Sequence, residues 1–396
     1  MSEKMMFSFD ELISALSFSL DLLTPEVSNH HRRVTLITAR LLKDLKLTGQ
    51  DYATIFYSAQ LHDIGVTSSV DKLNIMKFEY MGGQNHCEKG RDVLQKSVLL
   101  SEFAMPIKYH HDRWLGPNKS GLLKNQIPFI SQIINLSDRL SVLILDNKYI
   151  LEQKNDILNK INSFSGSFFN PDLVLSLNRI AQQDVFWLDL IPEMIGYQVD
   201  YFTPDEKKEV SLDEILTIAY SFEYIIDNKS HFTQTHSQKV RKLAVGLAKE
   251  LGFDEIALKR IEIAASLHDL GKFSIPDKIL DKPSSLTPYE YDVVKRHPYY
   301  TYNILRLIDG FDDIAKWAAW HHERLDSSGY PFKHNKDILP LGSRIIAIAD
   351  VFTALTEDRP YRRKLPPDQA LRLLEQQVRR GILDGDVVNT LKKIIS

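Results

Sequence analysis

The chain has little of several features that would each assign it to a particular class of protein. One cysteine in 396 residues excludes an internal disulfide and fits a reducing compartment, so a cytoplasmic location is favoured. Lysine and arginine (49) nearly balance aspartate and glutamate (52). The chain therefore has no excess of positive charge of the kind that binds duplex nucleic acid or an anionic membrane surface. There is no secretory signal and no apolar run as long as a membrane span. We therefore expect a globular protein that contacts neither duplex nucleic acid nor a membrane.

What the chain has instead is an internal duplication. Residues 8–18 match residues 211–221 at an offset of 203, and residues 131–138 match residues 343–350 at an offset of 212. Between these segments, ten of the 13 histidines fall on matched positions. Solvated surface histidines would have no reason to repeat in this way. The sequence therefore predicts two copies of one domain.

Each copy has the periodicity of α-helices. One run begins at His236, carries its apolar residues on one face and stops at Gly252. Another extends from Ile256 to Leu270 and stops at Gly271. Strong strand or hairpin alternation is not seen, so the predicted fold class is all-α.

The predicted domain organisation follows from the duplication. The first helical bundle is assigned to residues 1–200 and the second to residues 201–396. Residues 196–210, which contain a run of charged side chains, are the expected linker.

The repeated histidines and aspartates have the composition of a metal-binding set. A histidine beside an aspartate suits a dinuclear site, because the carboxylate can bridge two cations while the imidazole holds one. Five imidazoles and two carboxylates are too many for a tetrahedral structural site and enough for two cations with open positions. In the second copy the candidates are His236, His268, Asp269, His297, His321, His322 and Asp350. Their counterparts in the first copy are His30, His62, Asp63, His86, His110, His111 and Asp138.

The second copy also contains longer motifs that resemble a known family. Residues 268–272 are His-Asp-Leu-Gly-Lys, residues 329–331 are Gly-Tyr-Pro, and residues 358–362 are Asp-Arg-Pro-Tyr-Arg. Over residues 211–375 this pattern resembles the HD-GYP family of cyclic dinucleotide phosphodiesterases, a branch of the HD phosphohydrolases. The resemblance implies a helical bundle with a dinuclear metal site that hydrolyses cyclic di-GMP or 3',3'-cyclic GMP-AMP to the linear dinucleotide.

The resemblance implies two divalent cations in the second copy, with iron expected first and manganese or zinc as alternatives. Phe232 stands where some relatives have a carboxylate for a third metal, so two cations are expected. The implied ligands are His236, His268 and Asp350 for one cation, His297, His321 and His322 for the other, and Asp269 as the bridge.

The resemblance also implies which residues meet the substrate. Asp269 and Lys272 are the expected catalytic residues, with the Lys272 ammonium facing the phosphate. Tyr330 would stack on the substrate, and Arg359 and Arg362 would contact phosphate or base.

Two departures from the family pattern keep other functions open. Ser327 replaces a glycine of the Gly-Tyr-Pro loop, and Thr353 replaces an aspartate three residues after the last metal aspartate. One alternative is a non-catalytic module that binds the nucleotide or docks a partner protein. Another is an HD phosphohydrolase that acts on mononucleotides.

The first copy keeps the ligand types without the surrounding chemistry. Val66 stands at the position of the lysine, residues 112–117 replace the Gly-Tyr-Pro loop, and residues 147–149 replace the arginines. This copy is therefore expected to be regulatory, with metal binding left open, and Cys87 is expected to be a packed thiol. A second copy of the chain or a signalling protein is left open as a partner.

Overall fold

The structure is a computed structural model that describes residues 6–23, 29–79, 84–205, 207–230, 235–358 and 363–395. The chain divides into two compact units. One contains residues 12–208, and the other contains residues 209–395 together with residues 6–11. The regular secondary structure of the described residues is almost entirely helical in both units, which confirms the predicted all-α class.

The N-terminal unit contains the first eleven helices of the described chain, the first of which begins just before the unit boundary. They are α1 (Phe9–Asp21), α2 (His30–Asp44), α3 (Gly49–Leu61), α4 (Ser69–Ile75), α5 (Gln84–Leu94), α6 (Ala104–Lys108), α7 (Phe129–Leu143), α8 (Ile150–Ser163), α9 (Pro171–Ile180), α10 (Asp184–Leu188) and α11 (Pro192–Tyr201).

The C-terminal unit contains the remaining ten helices of the described residues. They are α12 (Leu212–Asp227), α13 (His236–Glu250), α14 (Glu255–Leu267), α15 (Asp277–Leu280), α16 (Pro288–Val294), α17 (His297–Leu305), α18 (Asp312–Ala319), α19 (Leu341–Thr356), α20 (Pro367–Arg379) and α21 (Gly385–Ile395).

The two units repeat the same helix lengths around their histidines. α2 and α13 have 15 residues each and begin at His30 and His236. α3 and α14 have 13 residues each and end at Leu61 and Leu267, immediately before the two His-Asp pairs. These boundaries keep an offset of 206 residues, so the duplication seen in the sequence is also a duplication of local structure.

The unit boundaries differ from the domain boundaries that we expected. Strand β1 (Met6–Ser8) pairs with strand β2 (Glu209–Ser211) in an antiparallel register that sets Phe7 opposite Val210. This pairing groups residues 6–11 with the C-terminal unit. The expected linker is also shorter than predicted, because the first residues of the range 196–210 belong to α11.

Each His-Asp pair lies just beyond the end of a helix. The sequence pattern predicted a helix as far as Leu270, whereas α14 ends at Leu267 and a 3₁₀ segment, Leu270–Ser274, follows. Gly271 permits close packing of this segment, since a Cβ there would lie 2.0 Å from the His297 carbonyl oxygen. The absence of a side chain thus lets the His-Asp segment pack directly against the start of α17.

The core of the C-terminal unit surrounds the histidines. Val240, Ala244 and Leu247 of α13 are fully buried, as the predicted apolar face requires. Burying a valine or leucine side chain contributes roughly 1.5–3 kcal/mol. His268 and His321 lie in the same buried layer, where polar groups need partners to remain stable.

Among the described residues, no helix combines the length and the apolar character that crossing a bilayer requires.

Candidate metal centres

The seven predicted ligands of the C-terminal unit converge on one buried centre. They come from the start of α13, the turn after α14, the start of α17, the 3₁₀ segment Trp320–His322 and the middle of α19. Their ligand atoms form three overlapping groups, and within each group the atoms lie within 4.8 Å of one another. The groups are His236, His268 and Asp350; His297, His321 and His322; and His268, Asp269 and His321.

Three of these imidazoles are oriented by their own backbone. The Nδ1 atoms of His268, His297 and His321 lie 2.7, 2.7 and 2.6 Å from carbonyl oxygens three residues earlier in the chain. A proton on Nδ1 satisfies each contact, so Nε2 carries a lone pair whenever the imidazole is neutral. All three Nε2 atoms are buried and have no hydrogen-bond partner among the described residues. Orphaned, buried acceptors of this kind fit a bound cation.

Asp269 lies between the two histidine groups. Its Oδ2 is 3.2 Å from His268 Nε2, while its Oδ1 is 3.5 Å from His297 Nε2 and 4.0 Å from His321 Nε2. Burial alone would raise the pKa of this carboxyl, but the charges of His268 and Lys272 outweigh burial and hold the pKa well below its usual range. Asp269 is therefore an ionised carboxylate with one oxygen toward each group.

His236 is positioned by a residue that the sequence analysis missed. Its Nε2 lies 3.0 Å from Asp350 Oδ1, and its Nδ1 donates to Glu357 Oε2 at 2.9 Å. Lys239 Nζ donates to the other oxygen of Glu357 at 2.7 Å. Burial alone would raise the pKa of Glu357, but these two hydrogen bonds lower it to about 2. The only feature of the sequence that could have pointed to Glu357 is its position directly before the motif at residues 358–362.

The protonation of the remaining imidazoles also suits metal binding. Burial lowers the pKa of His297 to about 4 and that of His321 to about 3, so both are neutral at pH 7. His268 differs, because the neighbouring Asp269 outweighs burial and raises its pKa to about 9. A cation that binds His268 must therefore displace a proton.

Lys272 connects the centre to its surface. Its Nζ donates to Asp269 Oδ2, and 22% of its side chain remains exposed. The ammonium therefore lies at the edge of the centre, where a phosphate could reach it.

The loop before Gly329 contains a serine in a backbone conformation that usually favours glycine. Ser327 has a φ of 66°, a left-handed conformation that glycine adopts without strain. The Ser328 backbone N–H donates to Asp326 Oδ1 at 3.0 Å and closes the turn. Gly329 is required for packing, since a Cβ there would lie 2.4 Å from the Cα of Glu323.

Glu323 and Tyr330 fix this loop beside the centre. Glu323 is 2% exposed and accepts backbone hydrogen bonds from Phe332 at 2.7 Å and His334 at 3.0 Å. The ring of Tyr330 lies 4.8 Å from the ring of His322. Burial raises the pKa of Tyr330, so its phenol stays neutral. An aromatic face is thus held next to a candidate metal ligand.

Arg359 and Arg362 lie outside the described residues, and so does Phe232, which marked the missing third-metal ligand. Thr353 is described and is buried on α19.

Known protein families match the chain in two parts, one in each unit. Models of the HD domain match residues 27–143 and residues 221–387. The 3'3'-cGAMP-specific phosphodiesterase 1 of Vibrio cholerae is 32% identical over 383 residues, which cover 94% of this chain and 88% of the relative. The chain belongs to the HD-GYP branch of the HD-domain family.

Other HD-GYP relatives cover different shares of the chain. The 3'3'-cGAMP-specific phosphodiesterase 3 of V. cholerae is 32% identical over 79% of this chain and 67% of its own length. A cyclic di-GMP phosphodiesterase of Thermotoga maritima is 36% identical over 44% of this chain and 47% of its own length. The crystal structure of a cyclic GMP-AMP-specific phosphodiesterase from V. cholerae aligns with a TM-score of 0.71 and 25% identity, covering 99% of this chain and 98% of that one.

The N-terminal HD domain brings its own ligand types together. His30 Nε2 lies 3.2 Å from His62 Nε2 and 3.3 Å from Asp138 Oδ1. Burial lowers the pKa of His30 to about 3. Two groups have ligand atoms within 4.8 Å of one another: His30, His62 and Asp63; and His86, Cys87, His110 and His111.

Two positively charged side chains, those of Lys72 and Arg139, lie inside this centre. Because Val66 stands at the position of Lys272, we expected no ammonium here. However, Lys72 reaches in from α4, and its Nζ donates to Asp63 Oδ2 at 2.6 Å. Arg139 donates to Asp138 Oδ2 from Nε at 3.0 Å and from Nη2 at 2.6 Å. Both carboxylates of the N-terminal centre therefore carry a fixed positive partner.

Proposed function

We propose that the C-terminal HD-GYP domain hydrolyses one phosphodiester bond of a cyclic dinucleotide to give the linear dinucleotide. The observation that carries this proposal is the convergence of the seven candidate ligands on Asp269, with Lys272 and Tyr330 at the edge of the centre. A site for monoesters would need no aromatic face beside the metal ligands. A base-bearing diester can use that face for stacking.

We further propose 3'3'-cGAMP as the preferred substrate over cyclic di-GMP. The two relatives that cover most of the chain are named as 3'3'-cGAMP-specific enzymes. The cyclic di-GMP phosphodiesterases of T. maritima and Xanthomonas campestris match 44% and 47% of the chain. The similarity to 3'3'-cGAMP-specific relatives extends over both HD domains, and it therefore supports 3'3'-cGAMP as the preferred substrate.

The donor set of the C-terminal domain fits two divalent cations. Imidazole and carboxylate ligands without a thiolate suit iron first, with manganese and zinc as alternatives. Divalent cations in such a centre neutralise the phosphodiester charge and make water a stronger nucleophile at neutral pH. His236, His268 and Asp350 would hold one cation, His297, His321 and His322 the other, and Asp269 would bridge them.

The protein itself supplies orientation. Backbone carbonyls fix the Nδ1 atoms of His268, His297 and His321, and Glu357 fixes His236, so these four imidazoles are oriented before a cation binds. Groups held in advance at the reacting centre lower the barrier, because their ordering is not required during the reaction.

Lys272 and Tyr330 bind the substrate in this proposal. The Lys272 ammonium stabilises the negative charge that develops on a phosphate oxygen in the transition state. Tyr330 stacks on one base, and its neutral phenol adds no repulsion toward the phosphate. The motif assigns Arg359 and Arg362 to the second phosphate or base.

The N-terminal HD domain is proposed as a regulatory domain without turnover. Its residues 112–117 replace the Gly-Tyr-Pro loop, and its two carboxylates are already paired with Lys72 and Arg139. A centre without a substrate-facing aromatic and an exposed ammonium has little means to stabilise a phosphoryl transition state.

Product analysis tests the proposed function. The protein is purified anaerobically, supplied with Fe(II) or Mn(II), and incubated separately with 3'3'-cGAMP, cyclic di-GMP and mononucleotides. We expect linear dinucleotide, formed fastest from 3'3'-cGAMP, and no inorganic phosphate from the mononucleotides. Binding without product would favour a non-catalytic module, and phosphate release from mononucleotides would favour a monoesterase.

A further inference from the structure

We propose that the N-terminal HD domain binds a single metal ion through three imidazoles and one thiolate, with a carboxylate beside the site. The structure assigns this site to His86, Cys87, His110 and His111, whose ligand atoms form one group, and Asp63 lies next to it. Cys87 thereby becomes a ligand rather than the packed thiol that the sequence suggested.

The distances among these donors suit one shared cation. His86 Nε2 lies 3.3 Å from His110 Nε2, and Cys87 Sγ lies 3.6 Å from His86 Nε2. Zinc–nitrogen bonds of about 2.0–2.1 Å and zinc–sulfur bonds of about 2.3 Å give tetrahedral edges of about 3.4 and 3.6 Å. Asp63 Oδ1 lies 3.3 Å from His86 Nε2 and 3.8 Å from His110 Nε2. Each of the four ligands, His111 included, offers an atom within 4.8 Å of the others, which is close enough for one cation to contact them all.

Two polar atoms that face this site are buried and have no hydrogen-bond partner among the described residues. Asp63 is 2% exposed, and its Oδ1 accepts no hydrogen bond from the described residues. The Nε2 of His111 is equally buried and unsatisfied in the described part of the chain. Buried polar atoms are rarely left unsatisfied, and an ion at this position would satisfy both.

Two positively charged side chains of the protein pair with the carboxylates at the second cation position of this domain. Lys72 is only 1% exposed and donates to the Oδ2 of Asp63, and Arg139 donates to Asp138. The Arg139 guanidinium also donates to two backbone carbonyls, each at 3.0 Å, which hold it in place. Two carboxylates here face two fixed positive charges. A divalent cation at this position would add buried charge with nothing to balance it.

The C-terminal HD-GYP domain lacks the arginine and the cysteine of this arrangement. Val351 stands at the position of Arg139, and Pro298 stands at the position of Cys87. Lys272 contacts Asp269 as Lys72 contacts Asp63, but 22% of the Lys272 side chain is exposed, against 1% for Lys72. The N-terminal centre therefore contains more buried positive charge than the C-terminal centre, and it alone has a thiol among its candidate ligands.

The ligand chemistry selects the kind of metal. A thiolate among imidazoles favours a borderline or soft cation, and zinc is the most suitable of the common ones. A sphere completed by protein ligands and buried in the domain is typical of a structural site. The ion would hold α5 and the segment after α6 together around the His-Asp turn.

Metal stoichiometry of the full chain tests this proposal independently of hydrolysis. The protein and its variants are purified anaerobically, and metal per chain is measured by mass spectrometry. We expect three ions in the parent, one in the His268→Ala/Asp269→Ala variant, and none when Cys87→Ser and His86→Ala are added. Four ions in the parent, or none in His268→Ala/Asp269→Ala, would overturn the proposal.

Cobalt substitution gives a readout that does not depend on folding of the multiple variant. Co(II) bound to a thiolate produces a charge-transfer band in the near ultraviolet, whereas Co(II) bound to imidazole and carboxylate does not. We expect the band in the parent and in His268→Ala/Asp269→Ala, and its loss in Cys87→Ser with the circular dichroism unchanged. A cobalt-loaded parent without this band would contradict Cys87 as a ligand.

Discussion

Glu357 and His236 are joined by a hydrogen bond of 2.9 Å from the imidazole Nδ1 to the carboxylate Oε2. The bond leaves His236 Nε2 directed at Asp350 Oδ1, 3.0 Å away. A carboxylate in this position fixes the tautomer and the ring orientation of a metal-binding histidine. Glu357 is thus a positioning residue for one of the two proposed cations.

Removal of Glu357 tests this relationship. Loss of such a partner typically weakens metal binding about 10–100-fold. We expect that decrease for Glu357→Ala in chelator competition, and a smaller one for Glu357→Gln, which can still accept the hydrogen bond. Activity should recover at saturating metal. Glu250→Ala, an exposed carboxylate on α13, is the matched control. Equal metal affinity in Glu357→Ala and the control would reject the role.

Lys272 is predicted to act on turnover and not on metal retention. Removing a single donor that stabilises transition-state charge typically lowers kcat about 10²–10³-fold. Lys272→Met should show this loss with an unchanged metal content per chain. The control is Lys259→Met, because Lys259 is a 40% exposed lysine that pairs with Asp213. A Lys272→Met protein as fast as the control would show that the ammonium does not meet the phosphate.

Tyr330 is predicted to contribute through its aromatic face. Stacking of a base on an aromatic ring is worth about 1–3 kcal/mol, so Tyr330→Ala should raise KM about 5–150-fold. Tyr330→Phe keeps the face and should keep KM within about twofold. The measurement is steady-state hydrolysis of 3'3'-cGAMP. A similar KM in both variants would contradict stacking.

Asp227 is predicted to make the free energy of unfolding depend on pH in a defined direction. Burial outweighs the hydrogen bonds from Ser237 and raises the pKa of Asp227 from 3.8 to about 6. Between these values the folded state retains a proton that the unfolded state has released, so stability falls as pH rises from about 4 to about 6. Asp227→Asn should remove this slope, a difference of about 1–3 kcal/mol. Urea unfolding from pH 4.5 to 7 measures it.

The equivalent residue of the N-terminal HD domain provides the contrast. There His31 replaces Ser237, and its charge and hydrogen bond outweigh burial and lower the pKa of Asp21. The stabilisation of the folded state by ionised Asp21 is present above the unfolded pKa and is lost as the pH falls. Stability therefore rises with pH at Asp21, whereas it falls with pH at Asp227. Asp21→Asn should therefore destabilise the protein at pH 7. A stabilising effect there would contradict the assignment.

Much of the C-terminal site could be predicted, because its residues recur at fixed offsets in a duplicated chain. The His-Asp pair lies at the same spacing from the first candidate ligand histidine in each copy. Two helices that have the same lengths in both copies set that spacing. The helix periodicity likewise predicted the buried face of α13. These features are local, and local features are visible in a sequence.

Residues that arrive from elsewhere in the chain could not be predicted. Lys72 enters the N-terminal centre from α4, nine residues after Asp63, and no pattern links the two. Glu357 reaches His236 across 121 positions of sequence. A three-residue strand such as β1 is too short for alternation to reveal its partner. In each case tertiary packing, and not local propensity, decides the contact.

The central claim is that the ligands gathered around Asp269 hydrolyse a cyclic dinucleotide. Its most direct test is the rate of linear dinucleotide formation from 3'3'-cGAMP by the metal-loaded parent and by Asp269→Asn, with folding verified by circular dichroism. We predict measurable turnover in the parent and a loss of at least about 10³-fold in the variant. Equal rates in the two proteins, or no linear product from the parent with any of the three metals, would contradict the claim.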